Sequence, residues 1–359
     1  MAETALTEVG DEREMAFSAV YAEIERLIHR KASWTSGFLV LVFSAGLFFA
    51  LGRSGQAWKP LLMIVGVLFL HEMGHLAAMR LFDYRNLRMF FIPFFGAAVT
   101  GQNYNVPGWK KAVVSLMGPL PGIVLGALLG VAAAIGEWPL MMQAAILLVV
   151  INAFNLLPLM PLDGGRVMHA VLFSRHPIFD VVFRAIAAVI LILSALVGGR
   201  FLAVIGVFML IGLPTVYRVG KVVQRLRERG FDANSPDSQT IPPETARAIY
   251  DGLCEAMPSQ MSTKTSAQLT LQSFELLNAK PPGVAASLAL VGVLGSSILA
   301  SLVLFVVLMA ARDAVFNRPA LPPHANLRVL DRKSEMKIHA CTNRFGQACQ
   351  DEQNADATS

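Results

Sequence analysis

The chain has 359 residues, of which 55% are hydrophobic and 15% charged, and its formal net charge is +5. Soluble domains carry about 25% charged residues, so this composition excludes a pair of soluble domains, and its apolar content excludes intrinsic disorder. Three cysteines are too few to cross-link a chain of this length, which excludes a disulfide scaffold. The sequence therefore predicts an all-α polytopic membrane protein in contact with the lipid bilayer. The basic residues lie beside apolar runs, so no nucleic-acid partner is predicted.

Seven apolar segments are candidates to cross about 30 Å of hydrocarbon as helices. The polar N-terminal segment 1–31 has no secretory signal pattern, so the first apolar run is predicted to be a permanent span. Six spans form a membrane core over 32–217, and the seventh span, 283–311, follows a polar insert over 218–282. The predicted spans are 32–52, 60–82, 112–136, 138–162, 181–199, 201–217 and 283–311.

Basic residues set the expected orientation, because Lys and Arg accumulate in cytoplasmic loops. They lie before the first span and in the segments after the second, fourth and sixth spans. The N-terminus, the insert and the active-site side described below are therefore predicted to be cytoplasmic, in a multi-pass protein of the cell membrane. With seven spans, the tail 312–359 is predicted to be external and partly disordered. Cys341 and Cys349 in this tail either pair as a disulfide or remain free thiols.

Two segments depart from the simple pattern of spans. Residues 89–100 are apolar but too short to cross, and their proline and glycine oppose a helix. A short membrane-embedded β or re-entrant element is predicted there, since aromatic and β-branched residues favour strands. The insert 218–282 contains two helix signals. The segment Pro242-Pro243-Glu244 opens one helix, and Ser262 or Thr263 caps another that ends near Pro281.

Three polar residues inside the second span carry the most specific signal. His71 and His75 are four residues apart, so on a helix they project from one face, and Glu72 lies beside them. This H-E-x-x-H pattern is typical of a zinc site in which two imidazoles bind the metal and the carboxylate activates a water molecule. Such residues are costly to bury in an apolar span and are a functional-site hypothesis by default. The alternative is a polar network between helices without metal.

A catalytic zinc site needs a third protein ligand and an open position for water. Asp163 is the candidate, because it follows the fourth span in a segment where two prolines break the helix and two glycines permit a sharp turn. The break would allow the carboxylate to point toward the second span. The alternative is a solvated turn aspartate at the membrane boundary.

Together these residues resemble the site-2 protease (M50) family of intramembrane zinc metalloproteases. Residues 71–75 are similar to the family's H-E-x-G-H motif, and residues 155–164 are similar to its N-x-x-P-x-x-P-L-D-G motif. The resemblance covers the chain from about residue 61 to residue 165. Gly122 departs from the pattern, because many members of the family carry an asparagine near this position.

The resemblance implies that His71, His75 and Asp163 bind a zinc ion, Zn²⁺, and that Glu72 is the general base. Asn155 would bind the substrate or its oxyanion. Without the resemblance, an asparagine in a span is equally consistent with a hydrogen bond between helices. The short β element would receive an unwound strand of the substrate. The implied function is a metalloendopeptidase that hydrolyses peptide bonds within or near the transmembrane segments of single-span membrane proteins.

Two other functions share some of these features. A membrane scaffold without catalytic activity would have the same spans, but loss of a ligand or of the base would mark it, and all four residues are present. A secondary transporter or proton relay would also use buried Glu, His and Asp residues. It predicts matching helix breaks in two halves of the chain, and the sequence contains one such break without a counterpart.

Overall fold

A computed structural model describes most of the chain. The ranges described are 2–29, 46, 58–92, 96–103, 106–198, 200–231, 240–257 and 261–316. The predicted first span, 32–52, and both Cys341 and Cys349 lie outside the described residues apart from position 46. The chain divides into two units, Met1–Ala310 and Ala311–Ser359, and the contacts described below lie within the first.

Helices dominate the described ranges, which also contain one pair of strands. The elements are α1 (Ala2–His29), α2 (Trp58–Leu81), β1 (Arg85–Ile92), β2 (Gly96–Gln102), α3 (Gly108–Met117), α4 (Pro119–Gly136), α5 (Pro139–Asn155), α6 (Asp163–Val171), α7 (Pro177–Leu193), α8 (Arg200–Glu228), α9 (Pro243–Ala256), α10 (Thr263–Asn278) and α11 (Val284–Phe316).

Five helical segments among the described residues are long and apolar enough to cross a membrane. They are Pro60–Leu81, Gly108–Gly136, Pro177–Val197, Leu202–Glu228 and Val284–Val315, and the apolar helix α5 is shorter. A mostly helical membrane architecture is thus confirmed, while the count of seven spans stays a prediction.

Two predicted spans contain breaks, so the sequence prediction of a single helix break was wrong. The span predicted over 112–136 consists of α3 and α4, which meet at Gly118, because Pro119 has no amide hydrogen to continue the first helix. The span predicted over 138–162 ends as a helix at Asn155, and the chain then runs irregularly through two prolines to the start of α6. Both breaks lie close to the polar residues of α2 described below.

The predicted β element forms a two-stranded antiparallel hairpin. In its register Met89 pairs with Val99 and Ile92 pairs with Gly96, with an irregularity between Arg85 and Arg88. Strand β2 contacts helix α2, which contains the H-E-x-x-H residues. The strands therefore agree with the sequence prediction, and their embedding in the membrane stays a prediction.

Helices α1, α9 and α10 pack with the end of α8 around a shared apolar core. Ile24, Val222, Ile249 and Phe274 are among its buried members. Both helices predicted in the insert are confirmed: Pro243 begins α9, and the Ser262 hydroxyl accepts a hydrogen bond from the backbone amide of the third residue of α10. The helical N-terminal segment and the continuation of α8 through Glu228 were not predicted from the sequence.

Segments predicted to share one side of the membrane lie next to one another. The backbone amide of Gly108 donates to the carbonyl of Lys280 at 3.0 Å, and Lys111 pairs with Glu275 at 2.8 Å. Tyr84, between α2 and β1, lies near the same carboxylate, and burial together with that charge raises the pKa of its phenol. These contacts agree with one common side for these loops, and which side that is stays a prediction.

Candidate metal centre

The polar residues of α2 lie in the interior of the protein. His71, Glu72 and His75 are 4%, 8% and 6% exposed. The two imidazoles are one helical turn apart and meet edge to face, with 4.8 Å between ring centroids. The four-residue spacing therefore places both rings at one site, as the sequence predicted.

The helix break after α5 brings Asp163 to the same place. The chain turns sharply between Asn155 and α6, whose first residue is Asp163, and the aspartate is 5% exposed. Gly164 and Gly165 permit this turn, because a Cβ atom on either would overlap the backbone of the irregular segment, at Leu156 or at the residues after it. The carboxylate thus reaches α2 from a residue 88 positions beyond His75.

The three side chains form a compact set of donor atoms. Oδ2 of Asp163 lies 3.0 Å from Nε2 of His71 and 3.2 Å from Nε2 of His75, and the two Nε2 atoms are 3.2 Å apart. Ligand atoms about 2.1 Å from one tetrahedral zinc ion lie about 3.4 Å from each other. The observed distances are close to this value, so the residues fit a shared metal ion, and they form the candidate metal cluster among the described residues.

A hydrogen bond from the outer nitrogen, Nδ1, orients each imidazole so that Nε2 faces the site. Nδ1 of His71 donates to Oδ1 of Asn152, and Nδ1 of His75 donates to the backbone carbonyl of Val114, each at 2.8 Å. The amide of Asn152 is oriented in turn, because its Nδ2 donates to the Leu148 carbonyl. These hydrogen bonds make Nδ1 the outer N–H donor of each ring and leave Nε2 toward Asp163, which is the arrangement usual for metal-binding histidines.

The break between α3 and α4 supplies one of these partners. Val114 is in the last turn of α3, where backbone carbonyls have no complete set of helical partners. Gly118, at the break, lies against the ring of His75, and a Cβ atom there would overlap the imidazole. A Cβ atom on Gly74 of α2 would likewise overlap the carbonyl of Met117. The glycines allow α2 to approach the break closely enough for the hydrogen bond.

Gly122, where many members of the resembled family carry an asparagine, lies against an asparagine from another helix. A Cβ atom on Gly122 would overlap the amide group of Asn152, which is fully buried. The space that a side chain on α4 would fill is therefore occupied by an amide from α5. This amide is the one that holds His71.

Glu72 lies beside the three candidate metal ligands and next to the hairpin. Its carboxylate lies near His71, His75 and Asp163, and near the backbone amide of Val99 in β2. The glutamate thus lies close both to the candidate ligands and to strand β2. This is the geometry needed by a group that exchanges protons with a water molecule near the metal.

Asn155 and Asn152 have different surroundings. Asn155 is half-buried, and its amide donates to the carbonyl of Ile151 in its own helix at 3.1 Å, so its predicted contact with substrate stays a prediction. Asn152 was missed by the reasoning from sequence. The signal that could have found it is an amide in an apolar span, one turn before the motif, where an unpaired polar group is costly.

Replacing Asn152 with Ala is expected to lower the affinity for zinc about 10- to 100-fold, the usual effect of losing a partner of a metal-binding histidine. His71 would lose the acceptor that fixes its tautomer. The measurement is competition for zinc against a chelator of known affinity. N152D, which keeps an acceptor oxygen, should restore part of the affinity, and Q143A, on the exposed side of α5, is the matched control. Unchanged affinity in folded N152A would contradict this role.

The chain has relatives among known proteins. Residues 60–138 match Peptidase family M50. A zinc metalloprotease of Methanocaldococcus jannaschii is 23% identical over 220 residues, which cover 58% of this chain and 63% of that protein. Stage IV sporulation protein FB of Bacillus subtilis is 32% identical over 134 residues, which cover 35% of this chain and 44% of that protein. These matches confirm the resemblance to the site-2 protease family.

The matches cover less than two thirds of the length of either curated relative. Among solved structures, the site-2 protease from Methanocaldococcus jannaschii is 20% identical and covers 51% of this chain and 88% of its own, with a TM-score of 0.36. A TM-score this low carries no weight for the fold. The candidate metal ligands and the family match are therefore the basis for the function proposed below.

Proposed function

We propose that this chain is an intramembrane zinc metalloendopeptidase that hydrolyses peptide bonds within or near transmembrane segments. One observation carries the proposal. His71, His75 and Asp163 present their donor atoms at 3.0 to 3.2 Å from one another inside the protein, with Glu72 adjacent. Two imidazoles and a carboxylate are a donor set that zinc accepts.

Each residue has a role in the proposed reaction. His71, His75 and Asp163 hold the zinc ion, which when bound acts as a Lewis acid toward water and the peptide carbonyl. Glu72 accepts the proton of the attacking water and passes it to the amine that leaves. The hydrogen bonds to Asn152 and Val114 would keep both imidazoles oriented with Nε2 toward the metal.

The proposed substrates are single-span membrane proteins, and their cleavage requires local unwinding. A transmembrane helix hides its carbonyls in internal hydrogen bonds, so a segment must leave the helix before it can be attacked. Strand β2 lies against α2, and its Val99 amide reaches Glu72. An extended substrate segment that adds to the hairpin would have its backbone groups satisfied and would lie beside the base.

The proposed orientation of this multi-pass membrane protein places its N-terminus and active site on the cytoplasmic side. Basic loops support this orientation. Contacts of Gly108 and Lys111 with the segment around α10 agree with a common side for these loops. The orientation is tested by replacing the three native cysteines with serine, placing one cysteine at exposed Asp251, and labelling it with a membrane-impermeant reagent in intact and opened cells.

Removal of the metal is expected to abolish cleavage, and stoichiometric Zn²⁺ is expected to restore it. The full chain would be purified in detergent, its metal content measured by mass spectrometry, and its cleavage of a single-span substrate followed with and without a chelator. Absence of zinc from protein that cleaves would contradict the metal site. Zinc-loaded, folded protein that cleaves no membrane substrate tested would instead favour the catalytically silent scaffold.

Asn155→Ala is expected to leave zinc binding unchanged and to slow cleavage, because the proposed role of this amide is in binding the substrate or its oxyanion. Loss of one such donor costs about 10²–10³ in kcat. The measurement is the ratio of the cleavage rates of N155A and wild type at equal zinc content. N152A is the comparison, because it should lower the affinity for zinc instead. Full cleavage by N155A would remove Asn155 from the proposed reaction.

A further inference from the structure

A second cavity lies away from the metal ligands, where α7 and α8 meet α10 and the end of α6. Its volume is about 240 Å³. Part of its wall is apolar and includes Phe173, Val216 and Leu276. The charged residues that line it are Lys111, Arg175, Asp180, Arg184 and Arg227. The cavity thus combines an apolar wall with a strong excess of positive charge.

The acidic residues nearby neutralise only part of this charge. Lys111 pairs with Glu275, just outside the lining, and Arg184 pairs with Asp180, each at 2.8 Å. Asp180 also contacts His169 at 3.1 Å. Within the described ranges, the two remaining arginines form no ion pair. Two guanidinium charges at the cavity are therefore left without an anion.

These two guanidinium groups are held in place by neutral oxygens. Arg175 donates from Nε to the carbonyl of Val171 and from Nη2 to the carbonyl of Pro282. Arg227, which is half-buried, donates from Nη2 to the carbonyl of Leu276. Among the described atoms, Nη1 of both arginines and Nε of Arg227 have no acceptor. A guanidinium fixed in this way with free N–H groups is suited to bind a phosphate oxygen.

We propose that this cavity binds the phosphate group of an anionic phospholipid, with an acyl chain along the apolar wall. The helices that bound it, α7 and α8, are among the candidate membrane spans. Basic pockets at the ends of transmembrane helices bind anionic headgroups. A soluble phosphate ester has the same charged group but no chain to cover the apolar wall. The site shares no residue with the metal centre, so the lipid-binding proposal does not depend on the proposed proteolytic function.

Lipid binding to the purified full chain tests the proposal by native mass spectrometry. Phosphatidylglycerol, zwitterionic phosphatidylcholine and sn-glycerol 3-phosphate would be titrated separately. Wild type is expected to bind one phosphatidylglycerol in preference to the other two. The double variant R175Q/R227Q is expected to bind it about 25-fold more weakly, since each juxtamembrane cation contributes about fivefold.

The matched control is R218Q/R225Q, which removes two positive charges from α8 outside the cavity. It should retain binding near the wild-type level, and R175K/R227K should recover part of the affinity because it keeps the charge. Equal loss in both glutamine pairs, or no loss in R175Q/R227Q, would overturn the site. Binding of glycerol 3-phosphate as tight as that of the lipid would support the phosphate site and assign it to a soluble ester. Zinc content and circular dichroism establish that the variants are folded.

Discussion

Glu72→Gln is expected to retain zinc and to cleave about 10²–10⁴-fold more slowly, the usual contribution of a general base. Glutamine keeps the size of the side chain but cannot accept the proton. Glu72 contributes no atom to the ligand set of His71, His75 and Asp163, so the affinity for metal should change little. The measurement pairs zinc content with single-turnover cleavage of a membrane substrate.

Asp163→Asn provides the contrasting result and should lose both zinc and cleavage. The amide is a much poorer ligand than the carboxylate, so zinc affinity should fall by more than the ~10–100-fold typical of an outer-shell partner. The change leaves His71 and His75 with a neutral neighbour in place of the anion at 3.0 and 3.2 Å. Full cleavage by E72Q, or full zinc content in D163N, would remove that residue from its assigned role.

Gly118→Ala is expected to weaken zinc binding at least about 10-fold and to destabilise the protein by about 1–3 kcal/mol, as overpacking of a filled interior does. A methyl group at this position would overlap the imidazole of His75. Relief of the overlap must move either the ring or the break between α3 and α4. Either shift alters the hydrogen bond from His75 to the Val114 carbonyl.

Gly66→Ala is the matched control for this prediction. Gly66 lies in α2, on the same helix as His75, and a Cβ atom there meets nothing within 4 Å. The substitution should leave zinc affinity unchanged and give equal or higher thermal stability, because alanine favours helix more than glycine does. If G118A bound zinc as tightly as G66A, the close approach at the break would have no part in shaping the metal site.

Several features of the site follow from the sequence alone. The four-residue spacing of His71 and His75 acts within one turn of one helix, so it predicts that both rings share a face wherever the helix lies. Asp163 could be predicted because prolines and glycines break a helix through local backbone chemistry. The start of α9 at Pro243 and the Ser262 cap of α10 are local signals of the same kind.

Other features depend on which helices pack together. Asn152 is 81 residues from its partner His71, and the Val114 carbonyl is 39 residues from His75. The helical form of the N-terminal segment was also not predicted, because its apolar residues become buried only by packing against α8, α9 and α10. Its polar composition alone predicted no such partner.

The sequence by itself therefore determined the candidate zinc ligands, the base and the family resemblance, because these depend on residue type and spacing within single segments. Tertiary structure alone decided what orients the ligands. Asn152 fills the space beside Gly122, Gly118 makes room for His75, and the Val99 amide reaches Glu72. Each of these contacts joins segments distant in the chain, and close packing sets them to within fractions of an ångström, which no pattern within one segment encodes.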